Sequence, residues 1–128
     1  VLTVLVVDDE PHILDLIRAT LEDERIRVIG VPDGEAALAQ AAALAPDVVF
    51  LDVNLPDISG FDVCRLLREE PGLAGAKIVM LTAATRPADV NRGLAAGACQ
   101  YLTKPFSPVR LLSLVDSLIP RSSIWMRD

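Results

Sequence analysis

Five short apolar runs alternate with five helix-length stretches along this chain, and few folds accept such a pattern. The runs are TVLVV at 3–7, RVIGV at 27–31, DVVFLDV at 47–53, KIVMLTA at 77–83 and QYLT at 100–103. Runs of this length, rich in Val, Leu, Ile and Phe, read as buried strands. After the first two come PHILDLIRATLEDE at 11–24, with Leu14, Ile17 and Leu21 on one face, and GEAALAQAAALA at 34–45. A third helix is expected from about Phe61 to Glu70, closed by Pro71 and Gly72, and a fourth from near Ala88 to Ala96, closed by Gly97. The last stretch, SPVRLLSLVDSLI, carries Ser107 as its N-cap and Pro108 at its first helical position. Strict alternation of this kind predicts an α/β domain of doubly wound (βα)5 type. Its parallel five-stranded sheet has right-handed crossovers and helices on both faces.

At 128 residues the chain has the length of one domain with a proper core. Aromatics make up 4% against a hydrophobic fraction of 52%, so that core is expected to be aliphatic. The net charge is −6 and the arginines are scattered, which argues against direct nucleic-acid binding by this segment. No apolar stretch approaches the roughly 18 residues that would span a bilayer, and no basic-then-apolar leader opens the chain. The expectation is a cytoplasmic domain without a membrane partner. The first residue is Val1 rather than Met, which fits a processed chain or a piece of a longer one. Cys64 and Cys99 have no paired spacing and read as small buried hydrophobes. The domain is expected over 1–119, with 120–128 (PRSSIWMRD, holding Trp125) a tail or the start of a linker after Pro120.

Four of the five apolar runs end in residues that carry chemistry. The first leads into Asp8 and Asp9, the third ends at Asp52, the fourth at Thr82, and the fifth runs into Lys104. In open parallel sheets the ligand crevice lies beyond the strand C-termini, where strand order reverses. The second strand contributes none, as expected if it lies at an edge in the strand order 2-1-3-4-5. Taken singly, each residue has an ordinary explanation: Asp8-Asp9-Glu10-Pro11 as acids opening a helix, Asp52 as a turn residue, Lys104 as a surface charge. Together they make a phosphoryl-transfer site. Like charges about 4 Å apart repel by roughly 4 kcal/mol per pair at an effective dielectric near 20, so three carboxylates need a cation. All-oxygen ligation suits Mg2+, held by Asp8, Asp9, Asp52 and the backbone carbonyl of Asn54. Asp52 is then the nucleophile, with Lys104 and Thr82 holding phosphoryl oxygens. The lone His12, in a first helical turn, reads as solvent-facing.

These strings resemble the receiver domain of two-component response regulators over essentially the whole fold, Leu2 to about Ile119. LVVDDEP looks like the family's acidic pair, LDVNLPDISG its phosphoacceptor loop, LTA its switch threonine and YLTKPF its Lys-Pro signature, while VPDGEAAL looks like the start of its second helix. The resemblance implies a flavodoxin-like sheet and a phosphoryl group passed to Asp52 from a phosphohistidine of a sensor histidine kinase or phosphotransfer protein. It implies Asp9 on Mg2+ directly, Asp8 mostly through water, and a cis bond between Lys104 and Pro105. Thr82, Tyr101 and Pro105 would act as the switch, with Tyr101 rotating toward the core. The surface of the fourth helix, fifth strand and fifth helix would then control an output domain, a partner or a homodimer. The only catalysis implied is the domain's own phosphotransfer and autodephosphorylation. Small Ala84, opposite Asn54, is expected to leave the phosphoryl group open to water.

Three other readings share the fold. A flavin or nucleotide binder should have a Ser/Thr/Gly-rich first loop, whereas here that loop is acidic. An aspartate-nucleophile phosphatase should have D-x-D ahead of its other acids in chain order, whereas this chain has Asp52-Val53-Asn54 after its acidic pair. The remaining alternative is a phosphorylation-independent interaction module that keeps these residues without using them.

Overall fold

A computed structural model describes residues 2–83, 87–98 and 100–119, with backbone alone over 87–90. Ala84, Cys99 and the tail with Pro120 and Trp125 lie outside the described residues. The elements run β1 (Leu2–Val7), α1 (Pro11–Leu21), β2 (Ile26–Val31), α2 (Gly34–Leu44), β3 (Val48–Asp52), α3 (Gly60–Glu69), a 3-10 turn (Pro71–Leu73), β4 (Lys77–Thr82), α4 (Pro87–Ala95), β5 (Gln100–Thr103) and α5 (Pro108–Leu118). All five strands are parallel, in the expected order β2-β1-β3-β4-β5.

Because successive side chains of a strand point to opposite faces, each strand feeds two cores. Val4, Val6, Val48, Phe50, Val79, Leu81 and Leu102 meet Ile13, Ile17 and Leu21 of α1 and Leu111, Leu114 and Val115 of α5 on one face. Leu5, Val7, Val49, Leu51, Ile78, Met80 and Tyr101 meet Ala37 and Ala41 of α2 and Phe61, Val63, Cys64 and Leu67 of α3 on the other. The strands that lie inside the sheet are thus apolar on both sides, as parallel sheets require. Ile13 takes a buried place on α1, while Leu14 is half-buried and covers Gly30 of β2.

Local chemistry sets where the helices begin and end. Asp33 accepts from Ala36 N at 2.8 Å, Ser59 from Phe61 N at 3.2 Å and Ser107 from Arg110 N at 3.2 Å, each as an N-cap. Asp57, from the loop after β3, adds its carboxylate to the amides of Gly34 (3.0 Å) and Glu35 (2.9 Å) at the same end of α2. Helix α1 stops at Leu21 rather than running to Glu24. Asp23 Oδ1 accepts from Arg25 N and Ile26 N, and Glu22 Oε2 from Val28 N, so these acids make the turn into β2. Cys64 is buried as expected, its Sγ 3.4 Å from the Ala96 carbonyl.

Gly60 opens α3 against the backbone of Asp52. A Cβ there would overlap the Asp52 carbonyl oxygen and lie 2.8 Å from Val53 Cα, whereas one on Gly72 would meet nothing within 4 Å. Gly60→Ala is therefore expected to cost about 1–3 kcal/mol in urea denaturation, with Gly72→Ala near neutral. Equal effects of the two substitutions would contradict this packing.

Candidate functional site

Strand parity decides which side chains meet at the C-terminal edge of the sheet. Asp8, Asp52 and Lys104 continue the register of Val6, Phe50 and Leu102, so they emerge on the α1/α5 side. Thr82 continues the register of Ile78 and Met80, the face to which Tyr101 also belongs. Met80 pairs with Tyr101 and Thr82 with Thr103 across β4 and β5. The residues singled out in the sequence fall into two sets at one edge: a charged cluster and a Thr–Tyr face.

At the centre of the cluster is Lys104, whose side chain is only 14% exposed. Its Nζ lies 2.8 Å from Asp8 Oδ2, 2.8 Å from Glu10 Oε1 and 3.2 Å from Asp52 Oδ2. The Lys104–Pro105 bond is cis, as the resemblance implied, and Lys104 N donates to Thr82 O at 2.7 Å. Asp52 is buried at the end of β3, and its Oδ1 accepts from Asn54 N at 3.0 Å. The loop behind it is closed by Gly60 N donating to Val53 O at 2.9 Å and by a bridge between Asn54 and Ser59. Asn54 and Asp9 are exposed, Thr82 is buried, and His12 faces solvent with Nε2 3.6 Å from Glu10 Oε2.

Glu10 belongs to this site, although its position suggested only an acid opening a helix. Pro11 starts α1, which leaves Glu10 as the N-cap with extended backbone (φ −94, ψ 109) and no side-chain cap of its own. Its carboxylate turns back to Lys104 instead. The signal available in the sequence was the proline: a residue just before a helix is extended, so its side chain need not follow the helix axis.

One ammonium does not balance these acids. Asp8, Asp9, Glu10 and Asp52 each place an oxygen within 4.8 Å of the others. Asp8 Oδ1 accepts from Glu10 N at 2.9 Å, but the fully buried Oδ2 has no hydrogen-bond partner among the described residues. Its 2.8 Å approach to Nζ is an ion pair off the hydrogen-bonding axis. A buried carboxylate oxygen left this way, among three more hard oxygen donors, fits a small divalent cation such as Mg2+. Asp8, Asp9 and Asp52 are the expected side-chain ligands, and Glu10 extends the set.

The same crowding moves the titrations. Burial pushes the Asp52 carboxyl up and the Asp8 charge adds to this, against the pull of the Asn54 amide and Lys104. Burial alone would lower the Lys104 ammonium, but the close ion pair with Asp8, the hydrogen bond to Glu10 and the charge of Asp52 outweigh it and hold it above the usual lysine range. The Lys104 hydrogen bond keeps half-buried Glu10 below the usual carboxylate range.

Comparison with known proteins follows the same lines. The response regulator receiver domain model matches residues 4–116. The DNA-binding response regulator MtrA of Mycolicibacterium smegmatis is 41% identical over 119 residues, which cover 93% of this chain and 51% of MtrA. The chain spans about half the length of the curated relatives it matches. Chemotaxis protein CheY4 of Vibrio cholerae superposes with a TM-score of 0.87 at 36% identity, covering 92% of this chain and 98% of that one. The receiver domain of a sensor histidine kinase of Pseudomonas aeruginosa, with a magnesium ion coordinated in its active-site cleft, gives 0.81 at 30% identity, covering 91% and 96%. Among the described residues, no helix is long and apolar enough to cross a membrane.

Removing the Asp52 charge relieves its repulsion with Asp8 while Lys104 keeps two partners. Asp52→Asn is therefore expected to stabilise the metal-free protein at neutral pH by on the order of 1 kcal/mol. Because the carboxyl titrates higher folded than unfolded, its favourable contribution is full below the unfolded pKa and lost as pH rises through the folded one. The advantage of the asparagine should accordingly grow from acid to neutral pH in urea melts. A variant no more stable than the wild type at neutral pH would sink this account.

Proposed function

The chain belongs to the response regulator receiver domain family, and on that footing we propose that it is a phosphorylation switch with Asp52 as phosphoacceptor. The observation that carries the reading is the lysine ammonium shared among Asp8, Glu10 and Asp52 at the crevice of the sheet. A carboxylate is a poor nucleophile toward an anionic phosphoryl group unless positive charge is already in place. Mg2+, held by Asp8, Asp9, Asp52 and the Asn54 carbonyl, would supply neutralising charge on the phosphoryl oxygens. The rest falls to the protein. An Asp52 oxygen forms the bond to phosphorus as the bond to the kinase imidazole breaks, and the leaving imidazole keeps the electron pair. Lys104 exchanges its contact with Asp52 for a phosphoryl oxygen, and the Thr82 hydroxyl donates to another.

Response regulators interact with histidine kinases and with output domains. The donor here is a sensor histidine kinase or phosphotransfer protein, and the output surface is α4, β5 and α5. Thr82, Tyr101 and Pro105 link that surface to Asp52, and Thr82 and Tyr101 share one face of the sheet. The receiver unit is residues 1–119, with 120–128 a tail or the start of a linker. Matching only half of MtrA is compatible with an output domain elsewhere in the natural protein, a DNA-binding one by analogy. Release of the phosphoryl group to water is the domain's own reaction, and its setting in a cytoplasmic two-component pathway completes the proposal.

Incubation with acetyl phosphate and Mg2+, followed by intact-mass measurement, should add one phosphoryl group to the wild type and none to Asp52→Asn. No gain in the wild type would favour a phosphorylation-independent interaction module. Without a phosphodonor, Mg2+ alone should raise the wild-type melting temperature. The stabilisation is about 2.7 kcal/mol when the ion is at 100 times its dissociation constant, and far less in Asp52→Asn.

A further inference from the structure

Gly93 sits inside α4, where glycine is the poorest helix former after proline. Its backbone gives no reason for the choice, because the one glycine with a positive φ among the described residues is Gly97. The reason is on the facing strand. A Cβ on Gly93 would coincide with the Tyr101 hydroxyl oxygen and lie 2.6 Å from Cζ and 3.1 Å from Cε2 of the ring. Tyr101 is 9% exposed, packed in the α2/α3-side core with its ring end against the helix backbone. The atoms at issue belong to a rigid ring, so they cannot yield by a small bend. Only rotation about χ1 clears them.

Nor is α4 placed to retreat. Arg92, the preceding residue, lies over the Phe61 ring of α3 at 4.3 Å, a cation–π contact. Just past the helix, Arg68 Nε donates to Gly97 O at 2.8 Å, and the Gly93 carbonyl accepts from Ala98 N at 2.9 Å. The helix is held to α3 on both sides of the glycine.

We propose that Gly93 is a positioning residue for Tyr101: it forms the seat that admits the ring to the interior, and a single methyl group there evicts it. The seat rests on this geometry; any part it plays in switching rests on the reading of Asp52 as phosphoacceptor.

Tyr101 is the chain's one tyrosine, so 3-fluorotyrosine labelling gives a single fluorine resonance. In the wild type that resonance should show a small shift between H2O and D2O, as for a buried ring. In Gly93→Ala it should move and show the large solvent isotope shift of an exposed one. A Gly93→Ala resonance with the wild-type position and isotope shift would overturn the proposal. Thermal melts give a second test. Gly93→Ala should lower the melting temperature in the wild-type background, or prevent folding there. In a Tyr101→Ala background it should raise it, since the helix then gains alanine and nothing is evicted. The same sign in both backgrounds would also overturn it. Acetyl phosphate labelling of the wild type reads out Asp52 separately, so its failure would remove the switch and leave the fluorine result standing.

Discussion

Side-chain alternation along strands buried on both faces is the constraint from which the rest of this molecule follows. It makes each interior strand supply two cores, and it does not stop where the hydrogen-bonded ladder ends. Carried one step further, it puts Asp8, Asp52 and Lys104 on the side of α1 and α5 and gives Thr82 the parity of Tyr101's face. A one-residue slip of any strand would exchange these sets. The burial that fixes the register of the core thus fixes the composition of the site.

That site is a place where the fold tolerates unfavourable electrostatics. Four carboxylates gather around one ammonium, one of their oxygens is buried without a hydrogen bond, and the Asp52 carboxyl is pushed up by its surroundings. Evolved cores seldom hold such a group unless it serves a ligand, and the stability it costs is made up in the two aliphatic layers beneath. Among the described residues, Lys104 is the cation these acids share, held by three of them.

Much of this was legible in the chain before any coordinate. The parallel sheet, the Ser107 cap with Pro108 behind it and the buried thiol of Cys64 follow from local pattern, which short-range physics controls, while the strand order was read from which runs end in site residues. What was not legible depends on distant partners. Glu10 looked like a helix-opening acid because the residue that claims it, Lys104, is 94 positions away. Asp57 looked like a loop residue because the amides it caps lie 22 and 23 positions earlier. Ile13 is buried beside Ile17 and Leu21 while Leu14 lies over Gly30, a contact on β2 that the helix pattern alone does not show. The sorting of Thr82 away from Asp52 was present in the residue count, but reading it required knowing where each strand ends.

The Asp57 cap has a mechanical consequence. Its hydrogen bonds tie the loop after Asp52 to α2, while the Gly60–Val53 hydrogen bond and the Asn54–Ser59 bridge draw that loop closed. That wall of the crevice is thus tied to two helices at once, to α2 through Asp57 and to the start of α3 through Gly60, so the segment that follows Asp52 is braced from both ends.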